Sequence, residues 1–80
     1  MKVQSLEELK RLATEPTEFA IVLQGGLVAR KLICYDPEAD TFWVDDYVTG
    51  HGTEYSEEDL AKNTNILRAI KAGAFRIVQD

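Results

Sequence analysis

FAIVLQGGLVARKLICYDPEADTFWVDDYV, residues 19–48, is the stretch that decides the fold. Its first five residues, Phe19 to Leu23, are apolar and rich in branched side chains, the composition of a central strand. Gly25-Gly26 follows, a pair that takes positive φ at both positions without steric cost, as a tight type I′ hairpin turn requires. Residues 27–35 read as the returning strand, with Leu27, Ala29, Ile33 and Tyr35 on one face, interrupted there by Lys31. Asp36-Pro37-Glu38-Ala39-Asp40 is a turn, because proline sets φ near about −65° at its second position. Residues 41–48 form a third strand. The stretch therefore predicts a β-meander.

Working outward, Ser5-Leu6-Glu7-Glu8 fits the capping box, a hydroxyl at the N-cap with a carboxylate three residues on. Leu6, Leu9, Leu12 and Ala13 share one helical face, which predicts a helix over 5–13. Pro16 ends it by disfavouring α conformation at Glu15. Beyond the meander, residues 49–53 (TGHGT) make another turn, leading into a short fourth strand at Glu54-Tyr55. Ser56-Glu57-Glu58-Asp59 repeats the capping logic, with three carboxylates where the helix dipole favours them. A short helix runs to Lys62, Asn63-Thr64-Asn65 breaks it, and a second covers 66–72. Gly73 then stands where a left-handed C-terminal cap belongs. Phe75-Arg76-Ile77-Val78 reads as a final strand, and its alternation suits an edge that pairs between chains. The expectation is one α+β domain over 1–80: an N-terminal helix, a three- to five-stranded antiparallel meander, two short helices and a C-terminal strand.

Eighty residues make one domain, of which about 60–65% of the unfolded surface is buried on folding. Stability on the order of 5 kcal/mol follows. A deep catalytic cleft would compete with the core for the same apolar residues, which argues against an enzyme. No apolar run approaches the roughly 18 residues of a membrane span. The N-terminal residues MKVQSLEELKRL lack the apolar centre of a signal peptide. Cys34 is the single cysteine and has no internal disulfide partner. These features predict a reduced, cytoplasmic protein, free of membrane and cofactor.

The charge is strongly segregated. Residues 36–59 hold nine acids (Asp36, Glu38, Asp40, Asp45, Asp46, Glu54, Glu57, Glu58 and Asp59) and no Lys or Arg. The flanking segments are slightly basic, so the formal net charge of −5 understates the asymmetry. First-turn and turn positions account for most of these acids, but Asp45 and Asp46 lie in a strand, where Asp is depleted. Two readings fit: a solvated face that only keeps the chain soluble, or a docking surface for a basic partner. In the second, strand carboxylates two residues apart, about 6.5–7 Å, match the spacing of phosphates along a nucleic-acid strand. Trp43, Tyr47 and Tyr55 interleave with the acids and serve as amphipathic anchors in that reading, or as core in the first. Trp43 falls on the face opposite Phe42 and Val44.

Several constellations fail. Asp36-x-Glu38-x-Asp40 starts like a calcium loop, but Thr41 and Tyr47 stand where the glycine and bidentate glutamate belong. His51 sits between two glycines, with no orienting group beside it in sequence. Cys34 reads as a small buried hydrophobe. Gly25-Gly26 lacks the Lys-Ser/Thr and the helix of a phosphate loop.

Gln24-Gly25-Gly26-Leu27, Lys31 to Asp36 (KLICYD), Thr41-Phe42, and Asn63-Thr64-Asn65-Ile66 with Ala69-Ile70 and Ala72-Gly73-Ala74-Phe75 resemble a group of small bacterial and phage-borne proteins. That resemblance covers most of residues 19–75 and implies no activity. In size and charge profile alone the chain is similar to anti-CRISPR and other inhibitors that imitate DNA, and no residue carries over from them. The expectation is a non-enzymatic, phage- or mobile-element-encoded inhibitor, monomeric or weakly dimeric. It would cover a basic, nucleic-acid-binding host protein with Asp36, Glu38, Asp40, Trp43, Asp45, Asp46, Tyr47, Glu54, Glu57, Glu58 and Asp59, without touching nucleic acid itself. The alternatives are an accessory domain whose acids are only solubilising, and a small enzyme subunit completed by oligomerisation.

Overall fold

A computed structural model describes residues 1–46 and 51–78, the side chains of Leu23, Val28, Ala29 and Asp46 excepted. The Ser5 hydroxyl accepts the Glu8 N–H at 3.1 Å, and Glu8 Oε1 reaches back to the Gln4 N–H at 2.9 Å. This cap starts helix α1, Leu6–Leu12. Leu9 is fully buried, with Leu6 and Leu12 packed beside the core. The carbonyl of Ala13, just past the helix, accepts the Tyr35 N–H at 2.7 Å and ties α1 to the sheet.

The meander forms as expected. Strands β1 (Thr17–Leu23), β2 (Gly26–Asp36), β3 (Thr41–Asp46) and β4 (Gly52–Ser56) are joined to β5 (Phe75–Ile77) in one antiparallel sheet of order β4-β3-β2-β1-β5. The last two residues assigned to the third strand, Tyr47 and Val48, lie outside the described residues.

Two details of the first hairpin differ from expectation. Leu23 pairs with Gly26, so the turn centres on Gln24 and Gly25, not on Gly25-Gly26. Gly25 has φ 103° but Gln24 does not share the positive φ, which rules out type I′. The register also shifts between Ile21 and Val22, leaving Val28 as the extra residue of a β-bulge. One extra residue inverts the alternation beyond it. Leu27, expected on the core face, instead pairs with Val22, and both are exposed, at 61% and 40%.

Helices α2 (Glu57–Asn63) and α3 (Ile66–Lys71) follow β4. Ser56 caps α2 by accepting the Asp59 N–H at 3.1 Å. Gly73, at φ 74°, closes α3 as expected: its N–H meets the Ile70 carbonyl and that of Ala74 meets Ala69. All three helices bury residues against one face of the sheet, around Phe19, Ile21, Ile33, Phe42 and Val44. Phe19 and Phe75 stack at 4.7 Å between ring centres.

The outer edge of β5 is not open for pairing between chains, contrary to expectation. Val3 N–H bonds Phe75 O, Ile77 N–H bonds Met1 O, and Lys2 bridges to Arg76, so the N-terminal residues cover that edge. The strand ends at Ile77, and Val78 turns its N–H to Glu18 O.

Candidate functional site

Alternation along β3 separates its side chains. Phe42 and Val44 enter the core, while Thr41, Trp43 and Asp45 share the opposite face with their cross-strand partners. Trp43 stands opposite Cys34 on β2 and Glu54 on β4, and Asp45 opposite Leu32 and Gly52. Among the described residues no helix covers this face, and Trp43 is 45% exposed. A shallow hollow of about 230 Å³ lies there, lined by Pro16, Leu32, Cys34, Trp43 and Asp45.

Among the described side chains of β3, Asp45 is the only carboxylate on the outer face, so these form no row of acids along the strand. Asp46 pairs in register with Lys31, and Tyr47 lies outside the described residues. Most of the remaining acids gather at one end of the sheet, where the β2–β3 turn meets the β4–α2 junction through the Thr41–Ser56 pair. In the turn, Asp36 Oδ1 accepts the N–H groups of Glu38 and Ala39, and Asp40 takes φ 53°. Asp40 Oδ1 also accepts the Tyr35 hydroxyl at 2.6 Å. At the junction, Glu54 Oε2 accepts the Thr41 hydroxyl at 3.0 Å. Glu57, Glu58 and Asp59 form the exposed first turn of α2, and Glu58 pairs with Lys62 at 2.7 Å.

Lys10 holds this end together. Its ammonium lies 3.3 Å from Glu57, 3.7 Å from Glu7 and 3.8 Å from Asp40, and 5.4 Å from the centre of the Tyr35 ring. Desolvation alone would lower its pKa. The hydrogen bond and charge of Glu57, with Glu7 and Tyr35 behind it, outweigh that and raise it above the ordinary lysine value. The Tyr35 hydroxyl is also raised, chiefly by its hydrogen bond to Asp40 and then by desolvation. Neither Lys10 nor Glu7 stood out in the sequence, since Lys10 and Glu57 are 47 residues apart. Glu7 belongs to the acidic end even though it precedes the acidic segment.

Cys34 is half-buried, with Sγ 3.9 Å from the Thr14 carbonyl. Desolvation, then the charges of Asp36 and Glu15, push its thiol up, the direction opposite to that of an activated nucleophile. His51 is exposed, and Tyr55 is half-buried against the core. A second hollow of about 230 Å³ lies on the helix side, where Lys31, Asn63, Thr64 and Asn65 rim an apolar floor. Both hollows fall below the roughly 300 Å³ at which small-molecule pockets begin. Among the described residues every buried side chain is apolar, and no helix is long and apolar enough to cross a membrane.

Comparison with protein-family models, with curated proteins and with solved structures finds no significant match to this chain.

Proposed function

We propose that this chain is a non-enzymatic protein-binding inhibitor that covers a basic, nucleic-acid-binding surface of another protein. The observation that carries the reading is the gathering of Glu7, Asp36, Glu38, Asp40, Glu57, Glu58 and Asp59 at one end of the sheet. Only Lys10 and Lys62 pair with them among the described residues. Such a field steers a cationic partner and repels nucleic acid. Phage or mobile-element origin and an anti-CRISPR-like role belong to the same proposal, on the chain's size and charge profile. The competing reading, a solvated and purely structural face, draws on the internal partners of Asp40, Glu54, Glu57 and Glu58, which join turn, strand and helix residues of this chain to one another.

The two separate by competition. A partner retained from a bacterial lysate should be released by duplex DNA, and its affinity should fall steeply between roughly 50 and 500 mM salt. Glu38→Gln with Asp59→Asn should weaken the complex by about 1–3 kcal/mol, the scale of charge-assisted bonds, while leaving the fold intact. Glu8→Gln is the control, since an amide still accepts the Gln4 N–H. A partner that holds this protein and DNA together, or binds indifferently to salt, would leave the acids as a solvated face.

A further inference from the structure

The helix-free face of the sheet carries the exposed Trp43, and borders the acidic end at Glu54, whose carboxylate accepts the Thr41 hydroxyl. Trp43 stands there between two carboxylates, Asp45 two residues along β3 and Glu54 directly across on β4. Among the described residues neither carboxylate pairs with a Lys or Arg. Of the cations on this face, Arg30 stands on β2 two residues from Leu32, the register partner of Asp45, and so borders the site. Arg30 pairs with Glu18, and Arg76 lies on β5, three strand spacings or about 14 Å from β3.

Gly52 fixes the geometry. A Cβ at this position would stand 2.1 Å from Asp45 Oδ1 and 3.6 Å from Trp43 Cε3. The carboxylate thus occupies the space a side chain at 52 would take, beside the edge of the indole. An exposed indole face flanked by carboxylates is complementary to a flat, delocalised cation that stacks on a ring and donates paired N–H bonds. A guanidinium does both, whereas an ammonium is a compact, strongly hydrated point charge.

We infer that Trp43, Asp45 and Glu54 form a receptor for an arginine side chain of a protein partner, the guanidinium lying on the indole and bonding the two carboxylates. The inference rests on the proposed function in one respect: it takes the partner to be basic. It adds which cation is read, and on which face.

Trp43 is the only tryptophan, so its fluorescence reports this site alone. The probes are nona-arginine and nona-lysine peptides, titrated into the intact protein at low salt, with calorimetry for variants that lack the indole. Nona-arginine should change Trp43 emission saturably and bind roughly five-fold or more tightly than nona-lysine. Trp43→Leu, which keeps the apolar bulk, should abolish that preference. Gly52→Ala should reduce it with the melting temperature little changed, because only the end of the Asp45 side chain has to move, and Asp45→Asn should do the same without altering the backbone. Equal affinity for the two peptides would overturn the inference, as would arginine binding that leaves Trp43 emission unchanged. In those two cases binding at the acidic end survives, whereas failure of both peptides to bind would remove that reading as well. Emission that shifts with protein concentration before any peptide is added would assign the face to a second copy of the chain, and would also overturn the arginine site.

Discussion

Lys10 shows how one side chain organises several of opposite charge. Its side chain is only 18% exposed, while those of Glu7, Asp40 and Glu57 around it are 51–80% exposed. A single such surface pair contributes little, typically below about 1 kcal/mol. Here, however, removing the cation also leaves three carboxylates facing one another. Lys10→Met, which keeps the aliphatic stem over Tyr35, should therefore lower stability by about 1 kcal/mol at low salt. The difference from wild type should shrink in 1 M salt, where the Debye length falls to about 3 Å. Urea melts at the two salt concentrations measure it, and a salt-independent loss would assign the effect to packing. The residue scale is also where sequence reading stops soonest. The Asp36 turn and both serine caps are legible because each joins residues two or three apart. The clustering of Lys10 with Asp40 and Glu57 is not, because it exists only once α1, the β2–β3 turn and α2 have met.

At the scale of elements, the order of helices and strands follows from local signals, and the departures have specific causes. The bulge at Val28 moves Leu27 off the core face, and no residue there announces it; a register shift is settled by the twist and pairing of neighbouring strands. From local sequence the β5 edge reads as open, because its cover, Met1 to Val3, lies more than 70 residues away. Alternation alone places Trp43 on the face opposite Phe42 and Val44, but its flanking by Glu54 depends on the register of β3 with β4. Helix α2 lets local and tertiary contributions be compared. Its seven residues are too few to be stable alone, so packing through Leu60, its one fully buried side chain, should outweigh the Ser56 cap. Leu60→Ala should cost about 2–5 kcal/mol and Ser56→Ala about 1 kcal/mol. Chemical denaturation of the two variants tests the ranking, and equal losses would mean that α2 is held by its cap.

For the whole molecule, the shifted groups give stability a definite slope with pH. Cys34, Tyr35 and Lys10 all hold their protons more tightly than their ordinary values of 9.0, 10.0 and 10.5. The unfolded chain, with the ordinary values, sheds these protons first as pH rises. Between the unfolded and folded pKa of each group the native state binds more protons, so by linkage its stability falls with increasing pH. The contribution of each group is complete below its unfolded value and is lost as pH rises through its raised folded value. The mechanism differs among them: burial leads for the thiol, a hydrogen bond to Asp40 for the phenol, and the carboxylates of Glu57 and Glu7 outweigh burial for the ammonium. Two of the three groups, Tyr35 and Lys10, meet at the acidic end, so base should loosen that end. Ionised Tyr35 would face Asp40 as a second anion, and neutral Lys10 would no longer bridge α1 to α2. The melting temperature should therefore decline between roughly pH 9 and 11, and Tyr35→Phe and Lys10→Met should each flatten the decline, whatever they do to stability at pH 7. The slope is the measurement, because it isolates titration from lost packing. Curves for both variants running parallel to wild type would show that these groups do not set the alkaline limit of the fold.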